Sequence, residues 1–208
     1  MALQRPFDEE EFQKREAIGI IRASRFIRNY AKSNKPINVG VICDIHKTIF
    51  KDAWPDIAGL YRDENLEITF SKHLPPHYST VPQLMNQMDA DLKSKLDIIK
   101  PMRGLVFGQP ELSEEDEVNL QGIIDLTAWI HHKIVYIHPF REGNGRTARL
   151  VANLILERFG LVGISIKIEK ENKDRYRQSL AQIDQFNDYE PLKEMIVEGL
   201  LERYESIR

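Results

Sequence analysis

Between His138 and Arg149 the chain reads His-Pro-Phe-Arg-Glu-Gly-Asn-Gly-Arg-Thr-Ala-Arg. A candidate general base, a carboxylate, two glycines and two arginines fall within one loop and the helical turn after it. Leu150, Val151, Leu154, Ile155 and Phe159 then recur at helical spacing, so the motif opens a helix. Asn144 is the expected N-cap. Arg146 and Arg149 then stand in a first turn that already carries partial positive charge and unpaired N–H groups. Cations are unfavourable at that end. Two of them three residues apart on one face imply an anion between them. The plainer possibility is an Asn-Gly turn with Glu142 paired to Arg146. The conjunction of all the elements at fixed offsets argues for chemistry.

That chemistry suits a nucleoside triphosphate. Gly143 and Gly145 carry no side chain to block backbone N–H groups from phosphate oxygens. Arg146 and Arg149 add charge-assisted contacts. Glu142 is a hard oxygen ligand for Mg²⁺, which typically bridges one or two carboxylates to phosphates. Asn144 is placed to orient a phosphate oxygen or a metal-bound water. His138, one short loop upstream, can take a proton from an incoming hydroxyl, a step worth roughly 10²–10⁴-fold. Pro139 stiffens the loop, and Phe140 is expected to anchor it in the core. No Gly-Lys-Ser/Thr follows the glycines, so this is not a Walker loop, and the spacing is not that of a dinucleotide fingerprint. Adjacent His131 and His132 lack zinc spacing and are expected as a helix surface pair, the alternative being that one of them turns inward.

The elements that must hold this loop are mostly helical. Asp8 and Glu11 have capping-box spacing, with Phe7 and Phe12 placed as a staple, and a first helix runs to about 29–33. A second, from near Asn38, carries Val39, Ile42, Ile45, Ile49 and Phe50 on one side. Residues 54–62 form an irregular linker. Leu66-Glu67-Ile68-Thr69-Phe70 alternates and reads as a strand, with Tyr78 to Val81 as a short partner beyond Pro75-Pro76. Such a hairpin has unpaired edges. Helices are expected from Thr80/Pro82 to about 100 and from Ser113 to about 136, after a loop at 102–112. Extended chain is expected at 164–168, then helices at about 172–185 and 190–204.

The whole chain has 208 residues and a net charge of −3 with histidine neutral. That is room for one substantial core, and it excludes a broad basic face for nucleic acid. Residues 138–149 differ, with three arginines against one glutamate. Such focused basicity suits a compact polyanion. The single cysteine, Cys43, fits a reducing compartment and reads as a small buried hydrophobe. With no secretory h-region and no membrane-length apolar run, a cytoplasmic location is expected, secretion as an effector being left open.

The motif resembles the signature of the Fic family, His-Pro-Phe-x-Asp/Glu-Gly-Asn-Gly-Arg-x-x-Arg, without departure. The stretch Asp44–Trp54 and Ala58-Gly59-Leu60-Tyr61-Arg62 is also similar, with Ile57 where an aromatic is common. The resemblance covers about 38–200. It implies a mainly helical fold with a small β-hairpin flap, in a single domain with 1–36 as an N-terminal helical extension and 37–208 as catalytic core. It implies transfer of AMP from ATP to a Ser, Thr or Tyr hydroxyl of a target protein. Other nucleotide or phosphate-containing donors, or binding without catalysis in a toxin–antitoxin pair, are the alternatives. By position, His138 is then the base and Glu142 the Mg²⁺ ligand. Gly143, Asn144 and Gly145 form the anion hole, Arg146 and Arg149 hold the outer phosphates, and Tyr176 lines the adenine pocket unless it is simply a core tyrosine. Leu66, Ile68, Thr69 and Phe70 form the flap that docks the target. Many relatives are inhibited by a glutamate that pairs with the last arginine. The partial matches here, Ser24–Asn29 with Arg28 in place of the glutamate and Glu194–Gly199 with Glu194 in place of Ser/Thr, read as ordinary helices. The expectation is either no such brake or a separate antitoxin.

Overall fold

A computed structural model describes residues 5–68, 73–102, 112–165 and 171–206. Its helices are α1 Glu9–Ala31, α2 Val39–Phe50, α3 Val81–Leu96, α4 Glu114–Ile137, α5 Asn144–Arg158, α6 Glu171–Phe186 and α7 Glu190–Glu205. The centre is the pair α4 and α5, joined by the motif loop. Around it α1 packs on α2 and α5, α3 on α4, and α7 on α4 and α6.

Local signals explain most boundaries. Asn38 caps α2 by accepting from the Val41 N–H (3.2 Å), and Ser113 caps α4 by accepting from the Asp116 N–H (3.1 Å). The predicted apolar side of α2 is buried through Ile42, Ile45, Ile49 and Phe50. In α1 the buried stripe is Phe12, Glu16, Gly19, Ala23 and Ile27. Gly19 lets α1 and α2 touch backbone to backbone, since a Cβ there would lie 2.0 Å from the Ile49 carbonyl oxygen.

Several expectations are corrected. At the start of α1, Asp8 accepts from the Glu10 N–H (3.2 Å), and Phe7 is fully exposed, so the staple does not form. Phe12 instead meets Trp54 edge-on at 6.4 Å. Tyr78 to Val81 is not a strand: Tyr78–Thr80 is one 3₁₀ turn and Val81 begins α3, with Pro82 in its first turn. Leu66, Glu67 and Ile68 hold no strand either, and no strand occurs among the described residues; Thr69 and Phe70 lie outside them. Alternation alone supplies no ladder without a partner. Glu67 is nevertheless exposed while Leu66 and Ile68 are half-buried. Both His131 and His132 are buried, His131 meeting the Tyr176 hydroxyl (2.9 Å) and His132 the Asp184 carboxylate (2.8 Å), both from α6. Residues 103–111 and 166–170, where a loop and extended chain were expected, fall outside the described residues. No helix among the described residues is long and apolar enough to cross a membrane.

Candidate active site

α4 ends by placing His138 in the left-handed region (φ 51), its N–H donating to the Ile134 carbonyl (3.0 Å). A non-glycine residue there is uncommon and must be held. The Arg62 guanidinium holds it, donating from Nε to the His138 carbonyl (2.7 Å), while the Arg62 N–H donates to the Pro139 carbonyl (2.9 Å). The same side chain donates to the carbonyls of Glu64 and Pro76. Arg62 is thus a buried cation solvated by three backbone carbonyls, joining the motif loop to both ends of the 64–76 segment.

The His138 ring is set for base chemistry. Its Nδ1 donates to the Val135 carbonyl (3.2 Å), which leaves Nε2 as the unprotonated nitrogen of the neutral ring. Burial pushes its pKa below the usual histidine value, against the Val135 contact, which pulls it up.

Asn144 is not the N-cap. Gly143 occupies that position with φ 74, and Asn144 is the first helical residue. The Asn144 side chain is buried and turned backward, accepting from the Phe140 N–H (2.9 Å) and donating to the Phe140 carbonyl (2.7 Å). Its amide group closes the loop, so the side chain is not free to orient phosphate or water. Its backbone N–H remains at the open helix start. Phe140 is fully buried, as expected, and stacks on His46 (3.9 Å, 6°).

His46 was not singled out by its chemistry, yet it braces the loop. Its Nδ1 accepts from the Gly59 N–H (2.9 Å), so its Nε2 carries the proton and donates to the Glu142 carbonyl (3.0 Å). Burial drives its pKa down to about 4. The available signal was a histidine inside the buried stripe of α2. Glu16 is the parallel case in α1. It is 7% exposed and pairs with Arg146. An acid inside an apolar helical stripe needs a partner.

The two glycines differ. A Cβ on Gly143 would strike the Phe50 ring at 2.3 Å, whereas one on Gly145 would meet only Arg149 Nη1, at 3.4 Å. Gly143 is required by packing and φ, while the front of Gly145 is open.

The arginines differ too. Arg146 is held by Glu16 and by Glu142 (2.7 Å), over the Phe50 ring. Among the described residues no carboxylate pairs with Arg149. Burial lowers its pKa, and Tyr176 lies close enough to oppose that. The Tyr176 hydroxyl contacts His131 Nε2 (2.9 Å), and burial pushes the phenol up to about 12. Tyr176 therefore reaches the site from the core side. Beside it His131 falls to about 3, through burial and then Arg149.

The partial inhibitory matches do not reach Arg149. Arg28 lies near Glu157 across a groove shared with Lys32 and Arg203. Glu198 makes a two-pronged pair with Arg175 (2.6 and 2.8 Å). The described residues hold no cluster of three metal-ligating side chains. Glu142, exposed, with Oε1 engaged by the Gly143 N–H (2.8 Å) and Arg146, suits a cation that arrives already bound to phosphates.

The model of the Fic/DOC family matches residues 36–156. A protein adenylyltransferase Fic of Nematostella vectensis is 31% identical over 155 residues, 74% of this chain and 31% of that protein. Among solved structures, Fic-1 of C. elegans superposes with a TM-score of 0.69 at 25% identity, over 94% of this chain and 52% of that one. BepC from Bartonella tribocorum, solved with bound AMPPNP, is alike in fold, with a TM-score of 0.66 at 15% identity over 92% and 87% of the two chains. The chain spans about a third of the length of the curated relatives it matches.

Proposed function

The chain belongs to the Fic/DOC family, and on that footing we propose that it is a protein adenylyltransferase, moving AMP from ATP to a Ser, Thr or Tyr hydroxyl of a target protein. The observation that carries the reading is Arg149: a half-buried, partly desolvated guanidinium in the second turn of α5, with no carboxylate paired to it among the described residues. A desolvated cation left unpaired is costly unless an anion arrives. The backbone N–H groups of Asn144 and Gly145 add the helix start, joined by that of Gly143 once Glu142 Oε1 releases it, and Arg146 adds a second guanidinium.

His138 Nε2 takes the proton as the target oxygen bonds to the α-phosphorus. The bond from that phosphorus to the β-bridging oxygen breaks, and pyrophosphate leaves. Arg146 and Arg149 hold the departing phosphates, where negative charge accumulates. Mg²⁺, held through Glu142, would supply further neutralisation of that charge. Tyr176 supports Arg149 from below, beside the space for the nucleoside. Leu66, Ile68, Thr69 and Phe70 offer their backbone to the target as an added strand, an arrangement in keeping with the half-buried alternation of 66–68. The chain acts as one domain, 37–208 being the core and 1–36 supplying α1. A separate antitoxin bearing a glutamate would have Arg149 as its natural partner.

Intact-mass measurement of candidate targets with Mg-ATP should show a gain of AMP. His138→Ala should abolish that gain while AMPPNP still binds. Undiminished transfer by His138→Ala, or a gain of phosphate alone, would overturn the reading.

A further inference from the structure

We propose that Glu16 is a positioning residue: from α1 it fixes the Arg146 guanidinium at the phosphate site when Glu142 turns to the metal. This assignment rests on the adenylyltransferase reading. Arg146 is forked, with Nη1 on Glu16 and Nη2 on Glu142. The two carboxylates are unequal. Glu142 is exposed, adjacent to the loop glycines, and is the group proposed for the metal. Glu16 is buried behind the guanidinium.

Once the metal draws Glu142 away, one ion pair remains to Arg146. The side chain is long and rotamer-rich, and ordering it costs entropy. Glu16 bears that ordering in advance, with the Phe50 ring as a floor (5.6 Å). Such preorganisation is what turns a flexible cation into a phosphate clamp. Geometry fixes Glu16 in turn. It lies one turn before Gly19, where α1 is pressed against the Ile49 carbonyl. Among the described residues no carboxylate tethers Arg149, so the two cations divide the work: Arg146 is fixed before the ligand comes and Arg149 is satisfied by it.

Calorimetric titration with AMPPNP tests this without turnover. With Mg²⁺, Glu16→Ala should bind about tenfold more weakly, and Glu16→Gln, which keeps an acceptor for Arg146, within about threefold of wild type. With EDTA in place of Mg²⁺, Glu142 still holds Arg146, and the Ala variant should match wild type. In an Arg146→Ala background Glu16→Ala should add no further loss. Thermal melting of each variant confirms that the titrated protein is folded. Unchanged or tighter binding by Glu16→Ala with Mg²⁺ would overturn the assignment, since Glu16 would then be idle or a competitor of the phosphates. A loss that persists with EDTA, or without Arg146, would also overturn it, because Glu16 would be acting through the fold at large. No binding by wild type under any condition would instead remove the adenylyltransferase reading, and this assignment with it.

Discussion

The loop from His138 to Arg146 and the described residues of 62–76 meet through Arg62 and Glu64 and are tied down in different ways. In the loop more than half of the polar contacts are short in sequence. His138 reaches Val135, Asn144 reaches back to Phe140, and Glu142 bonds to Gly143 and Arg146. The loop is thus closed largely on itself, and its ties to distant chain are His46 beneath it, Arg62 beside it and the ion pairs of Arg146 with Glu16 and of Arg141 with Glu64. The described residues of the other segment have few such bonds. Its polar ties run to distant residues: Arg62 to Pro76, His73 to the Tyr136 carbonyl, Asn65 to the Tyr78 N–H. A reacting group needs a fixed position, whereas a surface that must accept a varied polypeptide needs backbone still open to pairing.

The contrast can be attacked by substitution, beginning with the loop. Gly143→Ala should be the most damaging change. Its Cβ meets Phe50 and its φ is positive, so about 3–5 kcal/mol of stability should be lost, as read by urea unfolding. Asn144→Ala strands the buried N–H and carbonyl of Phe140. It should cost about 2–4 kcal/mol and reduce AMP transfer even at temperatures where the protein stays folded.

Acidification probes the same loop through His46. Its folded pKa, about 4, lies below the unfolded value near 6.5. Stability is therefore complete above about pH 6.5 and falls as pH drops toward 4, because the unfolded chain takes the proton first. The loss should be on the order of 2–3 kcal/mol, visible as a falling Tm. A Tm that does not move over that range would mean that His46 is not a neutral brace. Arg62→Met should have the smallest effect on stability, about 1–2 kcal/mol, since the three carbonyls can turn to water. It should nevertheless lower transfer by about 10²-fold, because His138 loses the guanidinium that fixes its carbonyl.

The same division explains what could be read in advance. Helix ends with local caps, such as Asn38 and Ser113, were legible, as was the motif's anion-binding character. Asn144 was misjudged because an asparagine beside a glycine suits either an N-cap or a backward closure of the loop, and only the fold of residues 139–143 decides between them. Tyr78–Val81 passed for a strand because β-propensity at an isolated stretch cannot see Pro82 starting a helix. Glu16 and His46 went unremarked although each breaks an apolar stripe. The stripe shows that such a residue is buried but not which distant group receives it, here Arg146 and the Glu142 carbonyl. Arg62 gave even less warning, since its partners are carbonyls and leave no mark on side-chain identity.

The bare contact at Gly19 makes a position with no chemistry of its own a lever on the site. By helix propensity alanine should improve α1 by about 1 kcal/mol. Against the Ile49 carbonyl, however, one added methyl group would pry α1 from α2 and withdraw the acid one turn upstream. Residue 19 is where the proposed activity could be detuned at a distance, leaving every group assigned to nucleotide untouched.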